Sequence, residues 1–344
     1  MKTGNTGERR RRRDLPKLGA GALLASGVAA WPVVGRAQQP AKIPRVGILT
    51  AADSDRTPIF DAFRQGLGDL GYVEGRNIIL EFRLAHSDFT LLPKLAAELV
   101  NLPVDVIVSD TGLNLVVGAT RTIPIVAMMA DPMQFGVVSS LSHPGRNVTG
   151  FSFMHKELSA KRLELLHEAF PDISTVAVLR NPLPGVVTTF RATEEAPRSI
   201  GSMTLVPVAV GSVETLRALH PTVFAGVGGI VVLGDGMFWN QRRDIVRLAN
   251  AAGLPAIYPE REYVEDGGLM AYGTNAPDNF RRAAGYVDRI LKGANPGDLP
   301  VQQPVKFDFL VNLKTAKELG LTIPPSILAR ADEVIDQTTE IDPS

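Results

Sequence analysis

From Arg45 to Tyr258 the chain alternates short, β-branched apolar runs with segments of helical period, almost without pause. This rhythm admits few folds. Arg45–Ala51, built on "VGILT", reads as a buried strand, and so do "NIILEFR" (77–83), "VDVIVSD" (104–110) and "IPIVAM" (123–128). Between them, Pro58 opens a segment whose apolar residues Ile59, Phe63, Leu67 and Leu70 share one helical face, and Gly71 ends it. Leu92, Leu95 and Leu99 mark the next helix. The pattern restarts after an extended link, "NVTGFSF" (147–153). Helix 157–170, strand "TVAVLRN" (175–181), a helical stretch to about Ser199 that Pro197 ends or kinks, and strand "LVPVAV" (205–210) follow. Helix 214–224, strand "GGIVVLGD" (228–235), helix 239–252 and strand "PAIY" (255–258) complete the second run.

Strands joined through helices lie parallel, with helices on both faces of the sheet. Two such runs predict an α/β protein of two doubly wound parallel-sheet lobes. Ligands of doubly wound sheets sit beyond the carboxyl ends of the strands. Two facing lobes would therefore share one cleft, lined by the loops that follow strands.

Those loops carry Thr50, Asp53 and Ser54; Asp110, Thr111 and Asn114; Asp131; Asn181; Asp235 and Phe238; and Tyr258. Phe153 on the link and Tyr272 in "GGLMAYGTN" join them. A few polar groups among aromatic walls suit a small polar or zwitterionic ligand. An anionic group would meet backbone N–H groups near Thr111–Asn114, and Asp235 would take a cation. Each Asp or Asn taken singly is better explained as a turn former or helix cap, while the set as a whole points to a site. Asn181 and Asp235 stand out because each ends an apolar strand abruptly.

The amino terminus carries a different message. Arg9–Arg13 precede an apolar stretch, Leu18–Ala30, and then Gly35-Arg36-Ala37. A charged start, an apolar middle and a small-residue exit predict a secretory signal peptide over 1–37, cleaved near Ala37. Its apolar part is too short and too rich in Gly and Ala to span a bilayer. Arg12-Arg13 with Leu15 and Lys17 resembles a twin-arginine export signal, with Pro16 as a departure. Of 36 basic and 36 acidic residues, positions 1–37 hold 8 and 2, which leaves 28 basic and 34 acidic, a net of −6. A mildly acidic chain lacks the positive field that nucleic acid requires.

The chain has no cysteine, so disulfides, thiolate metal sites and thiol nucleophiles are excluded. The five histidines show no metal-like spacing. There is no G-x-S-x-G elbow and no phosphate loop, and "GVGG" (226–229) precedes a strand where a dinucleotide loop would follow one. No catalytic residue, cofactor or metal is expected.

Several stretches resemble one family: "AFRQGLGDLGYVEGRNIILEFRLA" (62–85), "IPIVAMMADPMQFGVVSSLSHPGRNVTGFSF" (123–153), "KRLELLHE" (161–168), "GGLMAYG" (267–273) and "VKFDFLVNLKTAKELGLTIPPSILARADEVI" (305–335). They are similar to the periplasmic substrate-binding proteins of ABC transporters, in the tryptophan/tyrosine-type branch with the type I periplasmic binding fold. The resemblance runs from about Arg45 to Ile335. It implies three crossovers, near 150–153, 272–275 and 303–306, with lobe one over 43–151 and 275–304 and lobe two over 152–274 and 305–344. It implies a periplasmic, monomeric protein that closes on a small solute, an amino acid or a related molecule, and hands it to an ABC permease in the inner membrane. A sensory binding protein for a membrane receptor shares these features, and a secreted enzyme could use the same cleft. The family's ligand loops match Thr50–Ser54, Asp110–Asn114, Asp131, Asn181 and Asp235. Here the first reads Ala51-Ala52-Asp53-Ser54 and the third Ser109-Asp110-Thr111-Gly112. The extra acids suit a cationic or hydroxylated ligand better than an amino-acid carboxylate.

Overall fold

The computed structural model describes residues 42–133, 136–195 and 203–336. The segment 1–37, expected to be an export signal, and Pro197 lie outside the described residues. Two sheets organise the rest. The first holds β1 (Arg45–Thr50), β2 (Ile79–Leu84), β3 (Val106–Ser109), β4 (Ile125–Met129) and β5 (Val148–Ser152), in the order β2-β1-β3-β4-β5 and all parallel. The second holds β6 (Thr175–Arg180), β7 (Thr204–Ala209), β8 (Gly229–Val232), β9 (Ala256–Tyr258), β10 (Met270–Thr274), β11 (Phe307–Asn312) and β12 (Glu333–Ile335). Its order is β12-β11-β10-β9-β8-β6-β7.

Both faces of the inner strands β1, β3, β4, β6, β8 and β9 are dry, which is why they read as continuous apolar runs, while the edge strands β2, β7 and β12 are partly exposed. In the first sheet Val46, Ile48, Val106, Val108, Val126 and Met128 pack to one side. Leu49, Ile107, Ile125, Ala127 and Met129 pack to the other. The second sheet divides likewise, with Ala177, Leu179, Ile230 and Val232 against Val176, Val178, Val231 and Leu233. Each fully buried Val, Leu or Ile contributes about 1.5–3 kcal/mol.

The chain passes between the sheets through three short segments. After β5 it enters the helix His155–Ala169, whose Leu163, Leu165 and Leu166 pack under the second sheet. After β10 it returns to the first sheet, where the helix Ala276–Leu291 lies along the helix Pro58–Asp69. Phe280 meets Phe60 edge-on at 5.6 Å. Contact is close because Gly66 has no side chain: a Cβ there would sit 2.3 Å from the Arg281 carbonyl oxygen. Gln302 then bridges Phe151 before the chain enters β11.

The structure corrects the all-parallel expectation at one place. β11 runs antiparallel to β10, with Thr274 opposite Phe307 and Met270 opposite Val311. The excursion to the first sheet explains it. The chain leaves β10 at its carboxyl end and comes back at that same edge, so β11 must run the other way.

Two expected helices are also broken. The segment 214–224 divides into Val213–Arg217 and a 3-10 turn at Pro221–Phe224, because Pro221 removes a donor and bars its predecessor from helical geometry. The segment 239–252 starts earlier, at Gly236 under an Asp235 cap, and breaks at Gln241 into Gly236–Asn240 and Arg242–Ala251.

Candidate ligand-binding site

The carboxyl ends of both sheets open onto one cavity of about 500 Å³. The first sheet's side supplies Thr50 and Ala51 after β1, Asp110–Leu115 after β3, and Met128–Asp131 at the end of β4. The second sheet's side supplies Gly234–Gly236, Trp239 and Asn240 after β8, and Glu260 after β9. Phe153 and His155, at the first crossover, close one wall, their rings stacked at 5.4 Å. Gly234 lies against that imidazole, so close that a Cβ would fall 2.4 Å from it. Ile59, Phe89, Leu92, Leu183, Val186, Ala276 and Phe280 complete a largely apolar lining.

Thr50, Asp110 and Asp235 are held by their neighbours. Thr50 donates its hydroxyl to Asp110 Oδ2 at 2.8 Å, and Asp110 Oδ1 has no hydrogen-bond partner. Burial pushes the Asp110 carboxyl up to about 7, with the Thr50 bond opposing it. Asp235 caps the helix Gly236–Asn240, its Oδ1 accepting from the N–H groups of Met237 at 3.0 Å and Phe238 at 3.2 Å. Asn181 Nδ2 donates to that oxygen at 3.2 Å. Burial raises Asp235 as well, and the Asn181 bond opposes the shift. Glu260 Oε2 has no hydrogen-bond partner, and burial lifts this carboxyl to about 8 against the pull of the Arg162 charge. Arg162 lies wholly buried, donating from Nε to the Tyr272 carbonyl at 2.8 Å and from Nη1 to Ser159 Oγ at 3.1 Å. Burial, helped by Arg162, keeps His155 neutral, its imidazole lowered to about 3.

One residue ties the two sides together. Asn240 Nδ2 donates to the Ala51 carbonyl at 2.7 Å and to Ser87 Oγ at 2.8 Å. Beside it, Phe89 packs against the apolar clusters of both sheets.

Of the residues expected from the sequence, Thr50, Asp110, Thr111, Asn114, Asp131, Phe153 and Asp235 line the cavity. Asn181 stands one layer behind, holding Asp235. The others lie elsewhere. Asp53 and Ser54 are exposed, and Ser54 accepts from the Arg56 N–H in a local turn. Phe238 is on the inner face of its short helix and wholly buried in the second sheet's core. Tyr258 points into that same core, stacked on Tyr263 at 5.0 Å. Tyr272 packs against Phe307 and Phe309 on the opposite face. Asp53 and Ser54 turn out to solvent, while Phe238, Tyr258 and Tyr272 turn into the core.

The residues not expected from the sequence are Asn240, His155 and the aliphatic wall, whereas Glu260 and Trp239 lie in the loops after strands where a site is expected. Glu260 had a signal, since it directly follows Tyr258 and Pro259 at a strand end. Among the described residues no cluster of three metal-ligating side chains occurs, and no helix is long and apolar enough to cross a membrane.

A cavity shared by the carboxyl edges of two doubly wound sheets, apolar but set with a few fixed polar groups, is the site of a two-lobed solute-binding protein. Residues 46–335 match the family model described as ABC transporter substrate binding protein, and the chain belongs to that family, whose members bind solutes and catalyse no reaction. A tyrosine-binding protein of Clostridioides difficile (strain R20291) is 26% identical over 266 residues, 75% of each chain. A conserved domain protein of Vibrio cholerae superposes with a TM-score of 0.79 at 28% identity, over 85% of this chain and 100% of that one. An ABC domain from Streptococcus pneumonia in complex with L-Trp superposes with a TM-score of 0.78 at 24% identity, over 85% and 99%. These relatives accord with the tryptophan/tyrosine-type branch that the sequence motifs resemble.

Proposed function

We propose that this chain is the solute-capturing component of an ABC importer, exported through its amino-terminal signal and working as a monomer in the periplasm. The solute, an amino acid or a related molecule, occupies the cavity between the lobes. One observation carries the reading: groups from both sheets line a single apolar cavity, and Asn240 joins its two sides.

The lobes, taken as 43–151 with 275–304 and 152–274 with 305–344, turn about the three crossovers. A solute touching both walls has a higher affinity for the closed form than for the open one, and that difference shifts the population towards closure. A permease then distinguishes the closed surface from the open one. The relatives named for tyrosine and carrying L-Trp support an amine-bearing solute.

Trp239 lines the cavity, and the chain's other tryptophan, Trp31, lies in the signal segment. In a Trp31→Phe protein the remaining indole reports occupancy. Titration with amino acids, amines and sugars, paired with small-angle scattering, is the test. A saturable fluorescence change with a smaller radius of gyration is expected. Saturable binding with no compaction would defeat the closure mechanism, and no response to any solute would defeat the assignment.

A further inference from the structure

The ionisable lining of the cavity is one-sided in kind. Asp110 and Asp131 line it from the first sheet, Asp235 and Glu260 from the second, and no Lys or Arg lines it among the described residues. Arg162, wholly buried, stands behind the wall, with Nε and Nη1 donating to Tyr272 and Ser159 and Nη2 without a partner among the described residues, and Arg242, also off the wall, lies over the Trp239 ring at 4.9 Å. His155, the remaining titratable group on the wall, is neutral.

The four acids are not equally free. Asp131 accepts from the Met133 N–H at 2.9 Å in a local turn, and Asp235 Oδ1 is used three times as a cap and by Asn181. Asp110 Oδ1 and Glu260 Oε2, one from each sheet, have no hydrogen-bond partner among the described residues. A buried acceptor without a donor is costly unless a ligand supplies one. Around them stand Phe89, Phe153 and Trp239, whose ring faces favour a cation over an anion. A solute carboxylate entering here would meet four acidic residues and no Lys or Arg on the wall itself.

We infer that the natural solute is an organic cation without a carboxylate: a primary amine on an aryl body. Its ammonium would donate to Asp110 and Glu260, and its ring would lie against the aromatic wall. This rests on the solute-binding reading above and narrows the solute class.

The full-length Trp31→Phe protein is titrated by calorimetry and fluorescence with phenethylamine, tyramine, L-phenylalanine, L-tyrosine and 2-phenylethanol. The amines are expected to bind at least about tenfold more tightly than the matching amino acids and the neutral alcohol. Asp110→Asn combined with Glu260→Gln, shown to be folded by its circular dichroism and melting curve, is expected to lose that preference. Tighter binding of an amino acid or of the alcohol overturns the inference and leaves the solute-binding assignment standing. An amine preference that survives the double substitution also overturns it, because the two acids would then not be the cation's partners. If none of these compounds, nor any amino acid or sugar, moves the fluorescence, both readings fall together.

Discussion

Asn240 follows the second sheet's β8, yet its side-chain nitrogen lies 2.7 Å from the carbonyl oxygen of Ala51, which follows β1 of the first sheet. The same amide donates to Ser87 Oγ at 2.8 Å. Both bonds exist only while the two edges face each other at this separation. At about 0.5–1.5 kcal/mol net for each bond, they favour this facing arrangement by about 1–3 kcal/mol. Asn240→Ala should therefore open the unliganded protein and weaken solute binding by roughly tenfold, since closure would have to be driven by the solute alone. Asn240→Asp should do more, by setting a carboxylate against the Ala51 carbonyl. Scattering from the unliganded variants, with calorimetry on the liganded ones, measures both effects. An unchanged radius and affinity would mean that the bridge contributes nothing to closure.

The acids on the wall give the unliganded protein an unusual pH response. Burial raises Asp110 to about 7 and Glu260 to about 8. Both hold protons in the fold that the unfolded chain releases, so rising pH favours unfolding until each has ionised. His155, lowered to about 3, acts in the opposite sense, but only below its unfolded value near 6.5. Asp235 and Glu262, also raised, add to the acids' effect, while Arg162, lowered to about 10, titrates above this range. From pH 6.5 to 8 the acids dominate, and stability should fall by about 1–2 kcal/mol, allowing for water in the cavity. Melting temperatures across that window measure it. Asp110→Asn with Glu260→Gln should flatten the slope, and an equal slope in both proteins would show that other groups are responsible.

How far the sequence reveals this architecture depends on how local each feature is. Runs such as Val46–Thr50 and Val176–Arg180 are legible because a strand buried on both faces is apolar at every position. Asp235 is legible because a cap at a strand end is a local event. The reversal at β11 is not, because it follows from an excursion to the other sheet that no window of residues records. Asn240 and His155 escaped for a related reason. Nothing in "GDGMFWN" says that its last residue will meet Ala51, 189 positions earlier. Phe238 and Tyr258 show the converse: each sits beside a strand end, but helical and strand phase turn it into the core.

Arg162 tests how the wall is supported from behind. It is wholly buried, and its Nε–H satisfies the carbonyl of Tyr272 in β10. Its charge also lowers Glu260, against the larger effect of burial. Arg162→Met keeps much of the volume but removes both. The orphaned carbonyl should cost about 1–3 kcal/mol of stability, read from denaturant unfolding. Glu260 should hold its proton to still higher pH, so the stability decline described above should move upward in pH. A variant with wild-type stability and an unmoved profile would show that Arg162 is a space-filling residue.

Gly234 separates cavity shape from fold stability. It lies on the cavity wall at the end of β8, and a Cβ added there would come within 2.4 Å of the His155 ring. That ring is stacked on Phe153 at 5.4 Å, and its Nδ1 has no hydrogen-bond partner to hold it in place. The imidazole can therefore yield, and because His155 and Gly234 both line the cavity, its displacement would change the cavity's shape. Gly234→Ala should lower solute affinity by about tenfold or more through lost volume, at a stability cost of about 1–3 kcal/mol for the overpacking. Combining it with His155→Ala removes the colliding ring and should restore most of the binding, which a general unfolding effect would not do. Calorimetry on the two variants decides it: failure of the second substitution to recover affinity would show that the contact between Gly234 and His155 does not shape the site.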